Sequence, residues 1–167
     1  MSTVDHSTTA DLTPRQPAVK VTVYHNSEAR FMPYEDGHLL TAVTCHWLDT
    51  PTDGATVADW VFRTFNADLD LLESERHLPG GETTFLAACV YRLLGHRSVS
   101  VGDVVAIETE SPTAWLACDP FGWRRITEPA HRSGDPLSAE SVYAHLANQR
   151  PFPRCDASLH PSGGSRA

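Results

Sequence analysis

No apolar run in these 167 residues approaches the ~20 needed for a membrane-crossing helix, so no membrane partner is expected. The opening MSTVDHSTTADLTPRQP has neither a basic start nor an apolar stretch. It reads as carrying no cleaved signal, and a cytoplasmic location is the expectation. Cysteine is scarce and scattered: Cys45, Cys89, Cys118 and Cys155 form no C-x-x-C pair. That spacing excludes a disulfide miniprotein and suits reduced thiols. Positive charge is in short supply, with 13 Lys and Arg against 21 Asp and Glu, net −8. A basic nucleic-acid packager is thereby excluded. Lysine is nearly absent, since Lys20 stands beside twelve arginines. With abundant Ala, Asp, Thr and Pro, this is the usage of a GC-rich, bacterial genome.

Catalytic signatures are missing too. There is no G-x-S-x-G, no Walker loop, no G-x-G-x-x-G and no kinase set. The nine histidines include no H-x-H or H-x-x-x-H pair, so no metal ligand set is assigned; His25, His46 and Cys118 could meet only across strands. Cys45 and His46 are neighbours on a strand and point to opposite faces, which separates a thiol from its would-be base. The carboxylate pairs Asp68/Asp70, Glu73/Glu75 and Glu108/Glu110 fall in loops or at edges and read as solvated charge, Glu108 and Glu110 sharing a strand face near a hairpin loop without a Lys or His partner. No catalytic residue, cofactor or metal is expected.

What is present divides into three stretches. Residues 1–18 are polar and aperiodic, an arm; 19–127 hold the long apolar segments; 128–167 are rich in Pro, Ser, Gly and His. The middle stretch carries 8 Lys and Arg against 15 Asp and Glu, so −7 of the −8 belongs to the expected folded part. There the alternation of Val19 to His25 and the run Leu39–Trp47 predict two strands. A helix follows over ATVADWVFRTFN, capped by Asp53 or Thr56 and stopped near Asn66, with Val57, Trp60, Val61, Phe62 and Phe65 on one stripe. A second helix is expected to bury Phe85, Leu86, Cys89, Val90, Leu93 and Leu94, ending at Gly95. Strands at 103–109, 114–119 and 122–127 complete the order β-β-α-α-β-β-β: an α+β fold, mostly antiparallel, with two main helices. A short C-terminal helix is expected at about 138–148.

The most distinctive stretch is His96-Arg97-Ser98-Val99-Ser100-Val101-Gly102-Asp103, where a helix hands over to a strand through a polar turn. Arg97, Ser98, Ser100 and Asp103 either satisfy backbone groups at that handover or form a rim that recognises a partner. Trp123, Arg124 and Arg125 on the last strand extend the candidate rim.

The RSVSVGDVV run, with FGWRRI some way downstream, resembles the YodL-like domain over about residues 19–127. The resemblance implies a compact accessory domain of a plasmid or other mobile element in an actinobacterium-like host, with no activity or ligand attached. A fainter similarity to PUA-like and ASCH barrels implies RNA binding on a sheet face bearing Trp115, Trp123, Arg124 and Arg125. The leading expectation is an accessory protein that binds a basic protein partner, steered by its acidity. Nucleic-acid binding and an enzyme with an unrecognised thiol or metal site are the alternatives.

Overall fold

A computed structural model describes residues 19–49, 53–109, 112–138 and 141–142. The strands are β1 (Val19–Asn26), β2 (Leu40–Leu48), β3 (Val104–Glu108), β4 (Ala114–Asp119), β5 (Gly122–Ile126), β6 (Arg132–Ser133) and β7 (Leu137–Ser138). Between β2 and β3 run the helices α1 (Gly54–Asn66), α2 (Leu69–Ser74) and α3 (Gly81–Leu93). The sheet order is β5-β4-β3-β1-β2-β6, with β7 also on β2. The five long strands pair antiparallel, whereas β6 and β7 join β2 in parallel. The α+β class is as expected; the order and the sheet direction are only partly so.

The first strand lies between β2 and β3, so both of its edges are paired. Val19, Val21 and Val23 pack with Val105 and Ile107 beneath Val57, Val61 and Phe65 of α1 and Ala87 and Tyr91 of α3. The opposite face carries a second core of Tyr34, Leu40, Val104, Ala106, Trp115 and Ala117. The first helix follows its sequence closely. Asp53 caps it, with Oδ1 accepting from the Thr56 amide at 3.0 Å and Oδ2 from the Thr56 hydroxyl at 3.0 Å. Those bonds hold the Asp53 carboxyl below its ordinary pKa. Phe62, placed on the buried stripe by spacing, is exposed; Ala58 and Thr64 are buried instead.

Three expectations need correction. The stripe of α3 is rotated: Ala87, Ala88, Val90 and Tyr91 are buried while Leu93 is exposed. Small Ala87 shares the first core with Ala58 of α1 and lets the two helices approach closely, so leucine is not what the contact selects. The acidic segment 68–75 is not a loop. Asp68 caps α2 and Leu72 is its buried anchor. Glu108 does have a lysine partner, since Lys20 stands opposite it on β1 at 2.8 Å.

The sheet also continues past residue 127. The Leu40 amide donates to the His131 carbonyl at 3.0 Å, and the Arg132 guanidinium lies 4.9 Å from the centre of the Trp115 ring. Ser138, the expected start of the C-terminal helix, ends β7. Ser141 and Val142 are helical, and the rest of that segment, 143–148, lies outside the described residues, as do the arm at 1–18 and Glu110.

Candidate functional site

One end of the sheet collects three connections: the β1–β2 loop (27–39), the α3–β3 handover (94–103) and the β4–β5 turn (120–121). Asp103 is the hub. Its side chain is completely buried and accepts five hydrogen bonds. Arg97 gives it a two-pronged grip, Nη2 to Oδ1 at 2.6 Å and Nη1 to Oδ2 at 2.7 Å. The Ser100 amide (2.8 Å) and hydroxyl (3.4 Å) reach Oδ2, and the amide of Asn26 reaches Oδ1 at 2.9 Å. A buried carboxylate is tolerated only when paired and saturated in this way.

The same hub fixes the neighbouring loops. Asn26 turns its Oδ1 to the amides of Glu28 (3.1 Å) and Ala29 (2.9 Å), starting the β1–β2 loop. Gly102 has φ +91 and lies so close under the Met32 carbonyl that no Cβ fits there. Asn66, at the end of α1, exchanges two hydrogen bonds of 2.8 Å with the backbone of Val99. The polar handover is thereby tied to β1, α1 and the loop.

Of the candidate rim, Arg97, Ser100 and Asp103 are brought together, and Arg97 is turned inward. Ser98 is exposed, and its carbonyl accepts from Arg97 at 3.0 Å. The β5 residues are divided by strand alternation. Trp123 packs on the helix-side core. Arg124, on the other face, bonds Asp119 at 2.8 Å and the Tyr34 carbonyl at 2.9 Å. Arg125 is exposed. The face imagined for base stacking is split likewise, because Trp115 belongs to the second core and Trp123 to the first.

Beside the hub lies a group that spacing did not reveal. Tyr91, stacked on Phe65 at 4.1 Å between ring centres, donates its hydroxyl hydrogen to the Arg97 carbonyl at 2.7 Å. His25 Nε2 sits 2.6 Å from the same hydroxyl. Tyr91 has one proton and a carbonyl can only accept, so Nε2 of His25 must be the donor and Nδ1 carries a lone pair. Burial pushes the His25 pKa down to about 4, so the ring is neutral. Burial also raises the Tyr91 phenol and lowers His96. These groups border an open cleft of about 330 Å³, lined by His25, Ser27, Arg30, Thr41, His96 and Arg97 among others. The available signal was faint: His25 and Asn26 are polar residues at the end of an apolar strand.

The loop end also exposes large apolar side chains, Leu39 among them. Phe31 and Met32 are 68% and 61% exposed, and Phe121, at the tip of the β4–β5 turn, is fully so. Phe31 has φ +65, and it is the one non-glycine with positive φ among the described residues. An apolar pair inside a polar loop was the sequence signal for them.

Cys89 and Cys118 are unsuited to nucleophilic work, and Cys155 lies outside the described residues. Burial raises Cys89 and pushes Cys118 up to about 11. His46 is buried against Trp60 and Phe65, while Cys45 faces the Pro136 carbonyl on the other side of β2. Among the described residues no three His, Cys, Asp or Glu side chains are grouped to hold a metal ion, and no helix is long and apolar enough to cross a membrane. The chain matches no protein-family model, no curated protein and no solved structure.

Proposed function

We propose that this chain is a binding module that docks a basic protein partner on the loop end of its sheet. The observation that carries the reading is the exposure of Phe31, Met32 and Phe121 at that one end. Aromatic and methionine side chains held in water are the usual anchors of protein contacts. Phe31 is kept exposed at a backbone conformation that disfavours a bulky residue, which costs on the order of 1 kcal/mol or more. Such strain collects where a surface has a task. The net −7 of residues 19–127 supplies long-range steering towards a positive partner. The likeness of RSVSVGDVV and FGWRRI to YodL-like domains fits an accessory role of this kind and belongs to the same proposal.

The test is capture of partners from a lysate of a GC-rich bacterium on the immobilised chain, against a Phe31→Ser/Phe121→Ser variant. Both side chains are exposed, so the variant should unfold at the wild-type temperature. The expected result is loss of a basic protein from the variant and weaker capture as salt rises. Identical profiles for the two proteins refute the assignment.

A further inference from the structure

The cleft at His25 is chemically unlike the rest of this acidic molecule. Its lining brings two arginines, Arg30 and Arg97, and two hydroxyls, Ser27 and Thr41, bonded to each other at 2.6 Å, but no carboxylate. Asp103 lies behind it and is saturated by Arg97, Ser100 and the Asn26 amide. Arg30 has no ion-pair partner among the described residues. Four of the five N–H groups of Arg97 are directed at Asp103, Ser98, Ser100 and Asn26, which leaves Nε–H free to donate. The cleft therefore offers positive charge and donors to an anion.

One group in it asks for the opposite. Nδ1 of His25 presents a lone pair, because Nε2 is committed as donor to Tyr91. Nδ1 has no protein partner among the described residues. An oxyanion bearing only lone pairs would be drawn by the arginines and repelled by Nδ1. An oxyanion that keeps one O–H satisfies both. We propose that this cleft binds a phosphate group in its protonated form, with the oxygens towards Arg30 and Arg97 and the P–O–H donating to Nδ1 of His25. Inorganic phosphate keeps such a proton throughout the neutral range, and a monoester, its second pKa being about 6, needs only a modest shift to hold one there. The volume of about 330 Å³ admits a small phosphomonoester as well as the free ion. The charged and titratable groups around His25 are Tyr91 from α3, His96 and Arg97 from the handover, Asp103 at the head of β3, and Arg30 from the β1–β2 loop. Asp103 is already saturated, and the other ring at the cleft is His96, whose buried Nε2 has no hydrogen-bond partner among the described residues. This proposal is independent of the docking surface and stands or falls without it.

Titration calorimetry on the full chain at low salt and pH 6.5 tests it, with inorganic phosphate, glycerol phosphate and sulfate as probes. Sulfate has the shape of phosphate but no proton, so it is expected to bind at least about tenfold more weakly. Arg30→Gln, an exposed change that leaves the thermal midpoint in place, is expected to weaken phosphate about tenfold. At pH 8, where glycerol phosphate has lost its P–O–H but inorganic phosphate still keeps one, binding of glycerol phosphate is expected to take up a proton and binding of inorganic phosphate is not, read from heats in two buffers of different ionisation enthalpy. Glycerol phosphate binding more tightly than phosphate would identify a monoester as the ligand, and equal binding the free ion. Either result upholds the site. Equal affinity for sulfate, indifference to Arg30→Gln, or no saturable phosphate binding overturns it.

Discussion

Replacing Asp103 by alanine should be among the most damaging single changes this fold can suffer. The carboxylate is fully buried and accepts five hydrogen bonds, two of them from Arg97. Its loss strands the Arg97 guanidinium, whose side chain is only 22% exposed, and orphans the amides of Asn26 and Ser100. Breaking one partner of a buried pair costs about 3–5 kcal/mol. Residual solvent at Arg97 trims the charge penalty, while the two amides add back roughly 1 kcal/mol each. A cost of about 4 kcal/mol results, or roughly 15 °C in melting temperature for a domain of this size. Arg97→Met should cost less, about 2–3 kcal/mol, because Asp103 keeps Ser100 and Asn26 as donors. The double variant should cost well under the sum of the two, since each single change is charged for a partner left behind. Urea unfolding of the four proteins measures all three numbers. A cost of under 0.5 kcal/mol for Asp103→Ala, or strictly additive singles, would refute the picture of a buried lock.

Two further outcomes follow from the same end of the sheet. Gly102→Ala meets both a positive φ of +91 and the Met32 carbonyl, whereas Gly95→Ala at φ +74 meets open space. The first should cost about 2 kcal/mol or more and the second about 1, read as denaturation midpoints; the reverse order contradicts the packing. His25 has its folded pKa lowered to about 4, below the ordinary 6.5 that applies when unfolded. The unfolded chain therefore takes the proton first, and stability present above pH 6.5 is lost as the pH falls towards 4. The drop is up to about 3 kcal/mol, and it should largely disappear in His25→Gln when stability is compared between pH 7 and 4.5. A wild-type slope in that variant would show that His25 is not the group responsible.

Elements with enough residues to set a period were readable; those decided by tertiary pairing were not. β1, β2, α1 and the meander β3–β5 each carry a pattern of their own, and Asp53 announces its helix through a local bond to Thr56. The six residues of α2 contain one aspartate, one glutamate and one buried anchor, Leu72, too little to outweigh the look of a solvated acidic loop. β6 and β7 are two residues each and exist because β2 has a free edge beside them, a fact stated nowhere in their own letters. In α3 the leucines fit a stripe as well as the alanines do. What selects the alanines is the closeness of α1 and the reach of the Tyr91 hydroxyl to His25, 66 positions away.

The handover 96–103 was distinctive in sequence, yet its letters were equally consistent with a lock and with a rim. The distinction turned on Asn26, which lies 77 residues from Asp103 and supplies the backbone donor that pulls the carboxylate inside. That bond also changes how the handover can matter for function. Asn26 starts the loop that carries Arg30, Phe31 and Met32, and Gly102 supports the Met32 carbonyl from below. Asp103 therefore acts on whatever this end of the sheet binds by holding a loop in place, without touching the ligand itself, while Arg97 both grips Asp103 and lines the cleft. An Asp103 variant that still folds at low temperature should accordingly lose phosphate binding at the cleft and partner capture at Phe31 together. Arg30→Gln should affect only the first, and Phe31→Ser with Phe121→Ser only the second.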